Sequence, residues 1–219
     1  MDLYAGIAWL LLILPISAFA VQFFVGRRLP RQGDFVSITA ICTALILGLF
    51  LFGRVIFGEQ NPAFLYHTAY PWFSGGSIDF SFGFHIDNLT AVMVMVVTVV
   101  SSLVHIYSTG YMKGERYYDR FFGYLSLFSF SMLALVLCDN LLILFICWEL
   151  VGVSSYFLIG FFFWKDSAAD ACKKAFITNR VGDFFFLIGI LIVLQKTGTL
   201  NYTEIFHAIE QGHLTGAML

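Results

Sequence analysis

Charge is what this chain has least of. Of its 219 residues only 12 are Lys or Arg and 14 are Asp or Glu, so 12% are charged, about half the fraction of an ordinary globular domain. With 59% hydrophobic residues, that excludes a water-soluble fold. A formal net charge of −2 leaves no basic surface to neutralise phosphates, which excludes nucleic acid as a partner. Cysteine is sparse too. Cys42, Cys138, Cys147 and Cys172 form no C-x-x-C pair, so zinc, Fe–S and disulfide frameworks lose their usual signature and membrane packing is the better use. There is no Gly-rich phosphate loop, nucleophile elbow or metal-ligand cluster. No Lys or Arg precedes the first apolar run, which carries Asp2 instead. A secretory signal needs a basic start, so the run from Leu3 to Val25 reads as a retained first membrane helix.

What the chain has instead is long apolar runs. Six match the roughly 20 residues that cross a bilayer as a helix: 3–25, 35–57, 89–111, 121–137, 141–163 and 171–194. Basic residues test this map independently. Arg27, Arg28 and Arg31 follow the first run; Lys113, Arg116 and Arg120 follow the third; Lys165, Lys173 and Lys174 follow the fifth. Nine of the 12 Lys and Arg residues thus fall on one side, which the positive-inside rule makes cytoplasmic, with the N-terminus outside. The expected class is an all-α integral membrane protein. Its one sizeable external connection spans 58–88. Within that stretch Ile78, Phe80, Phe82, Phe84 and Ile86 alternate with polar or small residues, the period of a strand or hairpin over the membrane surface. Tyr66, Tyr70 and Trp72 suit an interfacial aromatic belt. After the sixth run, 200–214 reads as a short amphipathic helix with Ile205, Phe206 and Ile209 on one face. The final residues, Thr215 to Leu219, read as the opening of a further membrane helix, and so as part of a longer protein.

Ionisable groups inside the runs are the candidate site. Glu149 is the only acidic residue between Asp139 and Asp166, and eight steps from Leu141 place it about 12 Å deep, near mid-membrane. An ionised carboxylate there costs about 2.5–3.5 kcal/mol on insertion scales. Gly152, Val153, Tyr156 and Gly160 share its helical face, and the two glycines permit a neighbouring helix to approach. Such a carboxyl suits a proton relay; a static interhelical hydrogen bond is the plainer use. In the sixth run Arg180 and Asp183 are three apart and able to pair, with Asp183 about 18 Å from Ala171. That pair either neutralises itself structurally or opens and closes, biasing the proton on Glu149. Lys173, Asn179, Arg180 and Asp183 fall on one polar arc, with Lys174 nearly opposite. His105, near the cytoplasmic end of the third run, is either a proton carrier or bonded to a backbone carbonyl. His67, His85, His207 and His213 lie in external segments and receive no role.

Three segments, IYSTGYMKGERYYDRFFGYLSLF (106–128), DNLLILFICWELVGVSSYFLIGFF (139–162) and KAFITNRVGDFFFLIG (174–189), closely resemble the antiporter-like subunit of respiratory complex I. It is called L in bacteria, 5 in mitochondria and F in the chloroplast relative. The resemblance is strongest from Ser81 to Thr199 and covers the N-terminal portion of a typical member. It divides the chain into a membrane pair with its external loop (1–80) and the start of a proton-translocation domain (81–219). It implies that Glu149 is the fifth-helix glutamate of the proton channel, that Arg180 and Asp183 are the sixth-helix ion pair, and that Lys174 is the lysine preceding Ala-Phe. The implied function is proton pumping coupled to electron transfer in an NADH:quinone oxidoreductase of the inner (cytoplasmic) membrane or an organellar equivalent. NADH, FMN, Fe–S clusters and quinone then belong to partner subunits, and neighbouring antiporter-like subunits are the implied contacts. Multi-subunit Na⁺/H⁺ antiporters and membrane-bound hydrogenases share these motifs, and a purely structural membrane anchor is the rival of another class.

Overall fold

The computed structural model describes residues 2–58, 65–75 and 78–210, with the backbone alone over 71–80. The belt residue Trp72 (as a side chain), His213 and the expected opening at Thr215–Leu219 lie outside that description. Helices α1 (Leu3–Val25), α2 (Asp34–Gly53), α3 (Asn88–Tyr111), α4 (Tyr118–Leu137), α5 (Leu141–Ile159) and α6 (Asp166–Thr197) occur in sequence order. All six belong to segments long and apolar enough to span a membrane. Strands β1 (Leu65–Gly75) and β2 (Ile78–Asp87) lie between α2 and α3, and α7 (Tyr202–Glu210) follows α6.

Local chemistry sets the boundaries. The Asp87 carboxylate accepts the Thr90 N–H at 2.7 Å and starts α3; the Asn140 amide oxygen accepts the Leu142 N–H at 2.7 Å and starts α5. Each satisfies one of the orphan N–H groups of a helix start. Gly198 ends α6 at φ 72°, a left-handed conformation that costs glycine little. α1 and α2 are joined through Gln22, whose side-chain amide donates to the Gly33 carbonyl at 2.6 Å and to the Ser37 hydroxyl at 3.2 Å. The sixth helix, at 32 residues, is longer than the 171–194 expected. At about 1.5 Å per residue it is longer than a 30 Å hydrocarbon layer requires.

The period-two stretch is half of an antiparallel hairpin, paired from Leu65–Asp87 to Gly75–Ile78 with a register shift between Pro71 and Phe73, beside a residue with no N–H to give the ladder. Its alternation is used as pattern predicts. Phe84 and Ile86 are buried in a core shared with Leu11, Ile41, Val94 and Leu133, and Trp9 meets Phe84 edge-on at 5.2 Å. The hairpin thus caps the bundle of α1 to α4. α5 packs against α4 and adds Ile143 and Cys147 to that core, while α6 lies outside it, largely exposed and packed mainly against α5.

Candidate functional site

The α5–α6 seam carries the ionisable residues. Arg180 donates from Nη1 to Glu149 Oε2, forming an ion pair between the two helices. The same guanidinium lies 4.5 Å from the Phe176 ring centre. Asp183, which is 8% exposed, accepts the Trp148 indole N–H at 2.9 Å. The Arg180–Asp183 pair expected from i,i+3 spacing is therefore corrected: Arg180 turns to α5, and Asp183 takes an indole. Geometry explains the exchange. Neighbours in a helix point about 100° apart, so Trp148 and Glu149 straddle the seam, and residues three apart such as Arg180 and Asp183 diverge by about 60°. One polar contact forms on each side.

Glu149 is not sealed from its surroundings, since its side chain keeps 22% exposure and that of Arg180 43%. On the Asp183 side a cavity of about 570 Å³ opens between α4, α5 and α6, lined by Trp148, Gly152, Ser155, Thr178, Asn179 and Asp183 among others. The two glycines predicted to admit a neighbour behave differently. A Cβ on Gly160 would come within 3.0 Å of Cys172 Sγ in α6, whereas one on Gly152 would meet nothing within 4 Å. Lys174 is exposed and forms no ion pair among the described residues. Lys173 pairs on the surface with Asp170 at 3.6 Å. Neither lysine joins the Glu149–Arg180 pair.

His105 is fully buried, and its Nδ1 lies 2.7 Å from the Ser101 carbonyl. Of its two expected uses, this is the carbonyl-bonded one. A second polar cluster, which sequence reasoning did not assign, sits at the hairpin end. Asp139 is 1% exposed and its Oδ2 lies 3.1 Å from His67 Nε2, with the Gly83 backbone close beside it. Burial pushes the Asp139 carboxyl above the usual carboxylate range, partly offset by His67. Beside it, burial pushes the Cys138 thiol up to about 11. No periodic signal marks His67 as the partner; only the hairpin fold brings it to the α4–α5 turn.

Bundle, hairpin and seam together make a polytopic membrane protein with an ion pair between its last two spanning helices. Two family models match the chain: "NADH-Ubiquinone oxidoreductase (complex I), chain 5 N-terminus" over residues 72–122 and "NADH:quinone oxidoreductase/Mrp antiporter, TM" over residues 138–219. The NADH-quinone oxidoreductase subunit L of Mycobacterium tuberculosis is 39% identical over 201 residues, 92% of this chain and 32% of that protein. The chloroplastic NAD(P)H-quinone oxidoreductase subunit 5 of Chara vulgaris is 42% identical over 211 residues, 93% of this chain and 31% of its own length. A chain of the archaeal membrane-bound sulfane sulfur reductase superposes with a TM-score of 0.74 at 20% identity, covering 90% of this chain and 39% of that one, which shows a shared fold. This chain belongs to the family of complex I subunit L/5 and spans about a third of the length of the curated relatives it matches.

Proposed function

We propose that the chain is the N-terminal part of a proton-translocating membrane subunit of an NADH:quinone oxidoreductase, in which Glu149, Arg180 and Asp183 handle charge and Lys174 extends the path. The supporting observation is one guanidinium placed at Glu149 while Asp183, three residues along the same helix, is held by an indole. In this reading the Arg180 guanidinium exchanges between Glu149 and Asp183, and that exchange opens and closes the pair that handles charge at the seam. Energy released elsewhere in the complex would drive that exchange, and each proton moved against 100 mV needs about 2.3 kcal/mol. In this reading residues 1–80 form a leading membrane pair with its loop and 81–219 the start of the translocation domain. The N-terminus and hairpin face outward, the redox cofactors sit in partner subunits, and neighbouring antiporter-like subunits flank the chain in the inner or organellar membrane.

The test is Glu149→Gln in the assembled complex, which should cut proton pumping and leave assembly intact. Unchanged pumping with lost assembly would instead support an anchoring role. The second matched family description also covers Mrp antiporters, and so favours one alternative, a Na⁺/H⁺ antiporter subunit. Transport in membrane vesicles that strictly needs Na⁺ but neither NADH nor quinone would decide for it.

A further inference from the structure

At the membrane end opposite the hairpin, a cavity of about 260 Å³ opens between α4, the end of α5 and the start of α6. Its wall is aromatic: Tyr124 stacks on Phe157 at 5.0 Å, and Phe161 is buried beside them. Its lining also includes two cations, Arg120 and Lys173, with Tyr117. Tyr117 holds a left-handed backbone at φ 69° and gathers three guanidinium groups over its ring, Arg120 at 4.7 Å, Arg116 at 5.0 Å and Arg27 at 5.5 Å. Their charges are unequally compensated. Arg27 is paired with Asp119 at 3.3 Å and Lys173 with the exposed Asp170 at 3.6 Å, whereas Arg116 and Arg120 have no ion-pair partner among the described residues. Nine basic residues crowd this end against five acidic ones, Asp34, Glu115, Asp119, Asp166 and Asp170.

We infer that this cavity binds an anionic phospholipid, its phosphate held by Arg120 and Lys173 with Arg116 close by, and the start of an acyl chain laid against Tyr124, Phe157 and Phe161. Guanidinium matches phosphate oxygens in paired hydrogen bonds, and basic pockets between membrane helices on the positive side suit acidic headgroups. The aromatic lining adds what a free ion could not use. The inference is independent of the transport reading, since none of these residues belongs to the Glu149–Arg180–Asp183 group.

The full chain, reconstituted in phosphatidylcholine nanodiscs, is irradiated with trace phosphatidylglycerol bearing a photoactivatable acyl chain. Peptides covering 117–124 and 157–173 should be labelled roughly tenfold more than with the same chain on phosphatidylcholine. Arg120→Gln with Lys173→Gln should bring labelling down to the phosphatidylcholine level. Labelling at the exposed Ile46 of α2, measured in the same sample, reports that the variant is folded and inserted. Equal labelling by both headgroups, or labelling indifferent to the double substitution, would overturn the site. Competition by millimolar inorganic phosphate would make it an ion site instead. Absence of labelling at these peptides while Ile46 reacts would mean that protein covers the cavity, and would equally overturn the inference.

Discussion

Arg180 and Glu149, 31 residues apart in sequence, are joined across the α5–α6 seam, and the carboxylate three residues beyond Arg180 is left to an indole. One cation thus stands within a helical turn of two acids and is committed to the one on the other helix. Among the four candidate residues this is the only direct polar contact the described structure provides.

The coupling between the two helices should follow that geometry. In a double-mutant cycle on thermal unfolding in detergent, Glu149→Gln and Arg180→Gln should show an interaction of about 1 kcal/mol, kept small because both side chains are partly exposed. The Arg180→Gln and Asp183→Asn cycle should show close to none. A larger coupling for the second cycle than the first would mean that Arg180 rests on Asp183 instead.

Most of the architecture was readable from residue patterns, because a bilayer admits few solutions. Apolar runs at spanning length became α1 to α6, and the period-two stretch became β2, with Phe84 and Ile86 facing the core. The seam was harder. Spacing of three makes Arg180 and Asp183 neighbours on one helix, and sequence spacing alone says nothing of a second helix that offers a better-placed carboxylate. Trp148 was visible only as a part of the W-E motif, yet its N–H is the one donor on the Asp183 side of α5 that reaches the acid. Counting residues from Leu141 places Glu149 along the span but not around it, and α5 and α6 lie at the edge of the bundle, where Arg180 keeps substantial exposure.

Trp148→Phe should leave the Asp183 carboxylate without its donor at unchanged ring packing against Phe186, whose centre lies 6.1 Å away. Stranding a buried acceptor costs about 1–3 kcal/mol. The melting temperature should fall, and Asp183→Ala, which removes the acceptor, should remove most of the difference between Trp and Phe at position 148. A Phe variant as stable as the parent would show that the indole bond contributes nothing.

Gly83 should be intolerant of any side chain. A Cβ there would collide with both the Thr68 carbonyl oxygen and Asp139 Oδ2, one the backbone of the paired strand and the other a buried acid with no room to move. Gly83→Ala should cost about 1–3 kcal/mol by overpacking and speed amide hydrogen exchange through β1 and β2. Gly110→Ala, where a Cβ would meet nothing within 4 Å, is the matched control and should leave exchange in the hairpin unchanged. Equal behaviour of the two variants would refute the close approach of β2 to the α4–α5 turn.

Asp139 gives the hairpin a pH dependence with a defined sign. Burial raises the proton affinity of its carboxyl above the usual range, and the His67 contact pulls it partly back. The folded state therefore keeps a proton that the unfolded chain has already released, so stability contributed here is full at low pH and declines as pH rises from the ordinary carboxylate range to the raised value. Other ionisable groups near this end are His85, which lies 3.8 Å from Asp87, Cys138, Tyr202 and Glu204. Of these, Cys138 and Tyr202 are neutral across that window, because burial holds both above their ordinary values. Hairpin amide exchange, followed from pH 4 to 7 and corrected for intrinsic rates, should show protection falling with pH in the parent. Asp139→Asn should flatten that slope. His67→Gln, which removes the contact favouring the carboxylate, should carry it to higher pH. A slope unchanged in Asp139→Asn would assign the pH dependence to another group, with His85 and Asp87 the next pair to substitute.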